Sequence, residues 1–376
     1  MPGRNDAPGS VSSPRTVTPS EFAAHVLRYN LQVKPGEHVT IEAWTHTLPW
    51  AAALAREVRR LKAFPLVIYE DEAGFWDSVD SKEEKILGAA PAHEWALLGK
   101  TDVYIHMWNA GDRLRMDALP RARVEKIFAF NPAWYAAGKK AGLRGSRLEV
   151  GRPFPNLAKV YGVDEEAWRN TVAAATMVDP KRLEATGKPI ALALERGKRI
   201  RIHDDQGTDL TLGLAKRRAR VDAGRHTKED LKGLFSILNL LPPGAVRVAL
   251  DEKVAEGRIV ANRTSYNDIG MATGGMFEFR GGRLVDHHYD TGNEFFDKDY
   301  AKGGKGRDQP GYLAIGLNPR LHNTPQLEDR EAGAITVTIG NNEFVPGGRN
   351  KAKFGAIVVN VGATVEIDGK RLPLPG

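Results

Sequence analysis

His38-Val39-Thr40-Ile41-Glu42-Ala43, Leu48-Pro49-Trp50-Ala51-Ala52-Ala53-Leu54-Ala55-Arg56-Glu57-Val58 and Pro65-Leu66-Val67-Ile68-Tyr69 follow one another with little chain between them. The first and third runs are short and apolar, as buried strands are. The middle run repeats its apolar residues at helical spacing and predicts an amphipathic helix over 48–62. Strand, helix and strand in this order predict a crossover unit, with two parallel strands and a helix packed on their sheet.

Working outward, the same alternation continues with a helix over 82–98, strands over 103–107 and 126–130, and a helix over 132–141. Toward the N-terminus, Thr18-Pro19-Ser20-Glu21 reads as a capping box, with Phe22, Val26 and Leu27 as the buried stripe of the helix it opens. Residues 1–17 carry almost no large apolar side chain and read as a disordered tail. The first half is thus Rossmann-like in architecture, yet no Gly-x-Gly-x-x-Gly turn follows a strand. The first strand ends in Ala43-Trp44-Thr45-His46-Thr47, so the sheet reads as a scaffold and not a dinucleotide site.

Two helices over 164–178 and 180–194 form the junction, and beyond Arg199 the pattern changes. Short strands over 200–203, 210–214, 246–248, 257–261, 276–279, 283–288, 335–339 and 356–360 alternate with Gly, Asp and Asn turns. The expected class is α/β: an N-terminal Rossmann-like α/β domain over 18–180, then a β-rich α+β domain over 181–376.

With 376 residues, 41% of them hydrophobic and 27% charged, the chain has the composition of a globular protein of two domains. It contains no cysteine, which excludes disulfides, thiolate metal ligands and cysteine nucleophiles. The net charge is +7, but the basic residues are scattered and no aromatic stacking motif accompanies them, so no nucleic-acid partner is expected. No apolar run approaches the roughly 20 residues of a membrane-spanning helix, and residues 1–15 lack the core of a signal peptide. A cytoplasmic protein with no membrane partner is expected.

Several stretches carry a resemblance. They are Tyr29-Asn30-Leu31-Gln32-Val33-Lys34-Pro35-Gly36-Glu37, Gly207-Thr208-Asp209-Leu210, Leu241-Pro242-Pro243-Gly244, Phe279-Arg280-Gly281-Gly282-Arg283-Leu284-Val285, Ile315-Gly316-Leu317-Asn318-Pro319-Arg320 and Val365-Glu366-Ile367-Asp368-Gly369. In this order and spacing they resemble the aminopeptidase T family of metallopeptidases, across nearly the whole ordered chain. The resemblance implies an aminopeptidase T-like fold, a homo-oligomer, and two divalent ions that activate water. Carried over position by position, the ligands are missing. The glutamate expected after Pro-Gly is Ala245, the next is Tyr312, a histidine falls at Thr336, and a late His-x-Asp pair falls at Phe354 and Ala356. A branch of the fold resembling 2,5-dihydroxypyridine 5,6-dioxygenase holds one iron, and its ligands would fall at Tyr312, Phe354 and Ala356. The expectation is therefore an empty inherited site and no cofactor, with a single relocated divalent metal as the alternative.

Other residues remain for chemistry. In Asp286-His287-His288-Tyr289-Asp290, His288 and Asp290 share a face if the strand continues, supplying two members of a ligand triad or an acid-base pair. The competing reading is a solvated strand end. His322 is the nearest third member. Tyr312 is either a cavity-facing acid or a core tyrosine, and Arg320 either a carboxylate clamp or a surface ion pair. Asn262 and Arg263 end a strand that the family folds near its site. His106 ends a strand of the first domain and reads as a buried, hydrogen-bonded histidine. Gly303-Gly304-Lys305-Gly306-Arg307 resembles a phosphate loop in composition alone and reads as a mobile basic loop over the cavity.

The expected function is a metal-independent hydrolase-like enzyme acting on a small polar, anionic substrate by general acid-base chemistry. His287, His288, Asp290 and Tyr312 are its candidate catalytic residues, and Arg320, His322, Asn262 and Arg263 its candidate substrate-binding residues. The alternatives are a metalloenzyme of the aminopeptidase or ring-cleaving type, with ligands relocated to His288, Asp290 and His322, and a non-catalytic binding protein.

Overall fold

The computed structural model describes residues 16–81, 87–89, 91–107 and 111–376. Most of the predicted tail thus lies outside the described residues. Thr18 caps the first helix, Pro19–His25, and the reciprocal bonds of a capping box with Glu21 are both made. Strands β1 (His38–Trp44), β2 (Phe64–Glu70), β3 (Val103–His106) and β4 (Arg144–Leu148) run parallel, with the helix Leu48–Arg60 crossing between β1 and β2.

One sequence-based expectation fails here. The run over 126–130 is not a strand: it completes the helix Arg121–Ile127 and turns into the helix Asn131–Ala141. Its apolar stretch is too short for periodicity to separate the two states, and Ile127 packs beside Trp44, Trp76 and Met116. The strand is instead β4, whose Arg-Gly-Ser-Arg-Leu sequence hides its burial. Of the helix expected over 82–98, residues 82–86 and 90 lie outside the described residues, and Ala92–Leu98 is helical.

The second half contributes β5 (Arg199–His203), β6 (Asp209–Leu214), β7 (Arg220–Asp222), β8 (Leu238–Leu241) and β9 (Ala245–Ala261). β8 crosses back and pairs with β4, closing the parallel sheet in the order β2-β1-β3-β4-β8. The two short strands expected over 246–248 and 257–261 are parts of the single strand β9. At its bend Gly257 has φ of 102°, and a Cβ there would lie 2.0 Å from the Asp209 carbonyl, so a side chain is excluded twice over.

β9 is the spine of a mostly antiparallel sheet. It pairs with β6, with β12 (Gly275–Arg280) after the small hairpin β10 (Ser265–Tyr266) and β11 (Met271–Ala272), and with β14 (Pro310–Gly316) after β13 (Arg283–His288). β14 leads outward to β15 (Ala334–Gly340) and β16 (Gly355–Val361), while β17 (Thr364–Ile367) and β18 (Lys370–Arg371) lie on the far edge. One face of the β9-β14-β15 region buries Val246, Val248, Leu313, Ile315, Ile335 and Val337 in the main core. The opposite face is the more polar one, with Arg247, Thr336 and Thr338 beside a small cluster of Ala249, Tyr312 and Ala314. Among the described residues, no helix is long and apolar enough to cross a membrane.

Candidate functional site

Residues facing each other across strands share a side of the sheet. On the polar face Arg247 opposes Ala314, which opposes Thr336, and the neighbouring pairs are Ala245 with Gly316 and Ala249 with Tyr312. Arg247 therefore stands in the midst of Ala245, Tyr312 and Thr336, three of the five positions to which the resemblance assigns metal ligands.

Its guanidinium is filled by carboxylates. Nη1 donates to Asp222 Oδ2 at 3.2 Å and Nη2 to Asp329 Oδ2 at 2.7 Å. Burial alone would lower the Arg247 pKa, but Asp329 and Asp222 outweigh it and the net shift is upward. Asp329 is likewise pushed up by burial and then held below its ordinary value by Arg247 and Arg330. The buried Tyr312 phenol is raised to about 12, chiefly by desolvation against the opposing pull of Arg247, so it stays protonated at neutral pH.

Phe354 and Ala356 do not belong to this face. Ala356 opposes Ile339, and both it and Phe354 pack into the core on the other side. Among the described residues, no group of three or more His, Cys, Asp or Glu is arranged to hold a metal. The donor set at the inherited position, an alanine, a tyrosine, a threonine and a resident guanidinium, does not fit a divalent ion.

The turn Glu328–Arg330, followed by Glu331, organises the site, and sequence patterning missed it. Four consecutive charges before an apolar strand read as a solvated turn, yet Glu328, Arg330 and Glu331 are buried. Each enters a different network. Glu328 accepts the Tyr266 amide, while its Oε2 is buried without a partner; burial raises its carboxyl to about 8. Arg330 donates to the Pro242 carbonyl. Glu331 receives Arg263 through Nε at 3.0 Å and Nη2 at 2.7 Å, and the Asn323 amide at 2.9 Å. Burial would raise Glu331, but the Arg263 bonds and the Asn323 amide keep it below the usual carboxylate value.

Glu331 also joins two of the four predicted substrate-binding residues, Arg263 and His322. His322 Nδ1 lies 3.2 Å from Glu331 Oε1, and the His322 side chain is 82% exposed. Arg320 is exposed on the same loop, its amide bonded to Asn318 Oδ1. Asn262 holds the strand end instead, bonding both the amide and the carbonyl of Val361 at 2.8 Å.

The remaining predicted residues are elsewhere. His287 and His288 pair with Phe277 and Met276 of β12, which run beside the end of β9 remote from Tyr312. As neighbours on a strand they point to opposite faces. His287 Nε2 contacts Asp297 Oδ1 at 2.7 Å and packs on Phe296, while His288 Nε2 is 3.6 Å from Asp290 Oδ1 in solvent. Neither meets Tyr312 or His322, whose contacts lie with Arg247 and Glu331. His106 is held as expected, by Glu42, which also accepts the Tyr104 hydroxyl at 2.6 Å.

By sequence, no curated protein matches the chain. Wild-type AmpT of Thermus thermophilus is similar in structure, with a TM-score of 0.67 at 18% identity over 94% of this chain and 96% of that one. The 2,5-dihydroxypyridine dioxygenase of Pseudomonas putida KT2440 follows at 0.60 and 15%, over 95% of each chain. Both likenesses concern the fold: the parallel sheet with its large antiparallel companion is that of AmpT. The thermophilic metalloprotease (M29) profile matches residues 18–303, and the chain belongs to that family.

Proposed function

We propose that this chain is a metal-independent enzyme on the M29 fold, hydrolysing a small polar, anionic substrate by general acid-base chemistry at the rim formed by Arg320, His322 and Glu331. The observation that carries this is the exposed His322 imidazole set against a buried glutamate that Arg263 and a backbone amide hold in place. A carboxylate on Nδ1 favours the tautomer with the proton there and leaves Nε2 free as a base. Nε2 takes a proton from water as its oxygen attacks a carbonyl, then returns it to the leaving group. Arg320 supplies charge for a substrate carboxylate, and Arg263 is a positioning residue. His287, His288 and Asp290 have no part in this reaction, and Tyr312 belongs to the closed network behind it.

Purified without chelator, the chain is assayed on amino-acid anilides and N-acyl amino acids, with and without EDTA, beside elemental analysis. Turnover that survives EDTA and falls about 100-fold or more in His322→Ala supports the reading. Turnover that requires added metal, or that survives in His322→Ala, sinks it.

A further inference from the structure

An open cleft of about 510 Å³ lies at the end of the helix Asn293–Lys302, and none of the residues that line it belongs to the His322 rim. Arg283, Tyr300, Lys302, Lys305, Arg307 and Asp308 line it, four cations against one carboxylate. We infer that it binds a small multivalent phosphate anion, and that the Gly303–Arg307 stretch is the loop that takes it.

The loop is pinned in place. The Gly303 carbonyl accepts the Lys353 amide at 2.9 Å, the Gly306 carbonyl accepts Asn350 Nδ2 at 2.8 Å, and the Asp308 carbonyl accepts the Leu284 amide at 2.7 Å. Because a trans peptide points its N–H away from its C=O, tying the Gly303 carbonyl inward turns the Gly304 amide outward. Among the described residues, the amides of Gly304, Lys305 and Gly306 meet no acceptor. Gly303 is right-handed and Gly304 left-handed, with φ of 71°, a succession that sets adjacent amides side by side; the Gly303 amide is given to the Tyr300 carbonyl at 3.1 Å, and those of Gly304 and Lys305 remain for an anion.

Glycine is required here. Gly306 has φ of 86°, and a Cβ on it would lie 2.5 Å from Asn350 Oδ1.

One feature opposes an anion, since a helix C-terminus presents carbonyl oxygens. Arg307 cancels it: Nη1 donates to the carbonyls of Tyr300 at 3.0 Å and Ala301 at 2.9 Å while the guanidinium stacks on the Tyr300 ring. Arg283 is paired with Asp308. Lys302 and Lys305 are exposed, with no partner among the described residues, and so supply the net charge. Ammonium point charges over outward amides suit a phosphate, whose oxygens accept from several directions.

The test is calorimetric titration of the full chain with inorganic pyrophosphate at fixed ionic strength, repeated on Lys302→Ala/Lys305→Ala and on Lys305→Glu. Both variants alter only exposed side chains and should melt as the native protein does. Losing two charge-assisted contacts should weaken binding about tenfold or more. No binding by the native chain, or equal affinity in the variants, overturns the inference. Equal affinity for citrate would move the ligand to carboxylates, and binding of a DNA duplex without pyrophosphate would move it to nucleic acid; either outcome overturns it too.

Discussion

Arg247 and Arg263 each hold a carboxylate of the segment 328–331, yet one pair is closed and the other opens onto solvent. Arg247 lies between Asp222 and Asp329 beneath the polar face, with every partner contributed by the protein. Arg263 grips Glu331, which still has an oxygen to share with an exposed histidine. Arg247 divides its bonds to carboxylates between two of them and Arg263 gives both of its own to one, so the two differ in what each leaves available. The first encloses a fixed positive charge between two carboxylates; the second leaves an imidazole facing solvent.

The comparison breaks most readily at Arg247. Arg247→Ala leaves Asp222 and Asp329 buried and unpaired, and should cost about 3–5 kcal/mol in urea unfolding. Millimolar manganese or zinc should recover part of that loss, because the vacated space then holds two carboxylates and a phenol. Unchanged stability, or no response to metal, would show that the guanidinium is not the resident cation proposed here.

Glu328 sharpens the comparison through pH. Its folded pKa of about 8 lies above the ordinary carboxyl value, so the folded state holds its proton more tightly than the unfolded chain. The contribution is full below the unfolded pKa, is lost progressively as pH rises toward 8, and is constant above. Across that window the native protein should lose a few kcal/mol relative to Glu328→Gln, measured by unfolding at each pH. Parallel curves would refute the buried, protonated carboxyl.

Smaller effects separate the two arginines further. Arg263→Ala should cost about 2 kcal/mol and also lower any His322-dependent turnover, since Glu331 loses its clamp. Tyr312→Phe should cost about 1 kcal/mol and leave that turnover intact, measured by thermal melting beside the assay. His322→Ala should change stability by less than about 0.5 kcal/mol, the side chain being exposed.

Much of the fold was legible because burial in strands and helices leaves a local period. The capping box at Thr18, the crossover helix after β1 and the strands expected over 276–279 and 283–288 all follow from residues within reach of one element. The failures share a cause. β4 carries Arg144 and Arg147 in a buried sheet, so its charges mask its class, and the run ending in Phe130 is too short for its period to be read. At the candidate site, His322, Arg320 and Arg263 were visible as polar residues near strand ends, but the glutamate joining His322 to Arg263 was not. Nothing local distinguishes Glu331 from the charges before it.

The sequence by itself determined the crossover helix after β1, the two junction helices, the succession of a parallel sheet and a β-rich half, and the absence of thiol chemistry. The resemblance read from it assigns ligand positions to Ala245, Tyr312 and Thr336. Only the tertiary structure decided what stands among those three residues. Asp222, Arg247 and Asp329 come from β7, β9 and a turn before β15, and no spacing rule relates them. A buried charge is tolerated when opposite charge surrounds it, and that is a property of the assembled sheet, not of any stretch of chain.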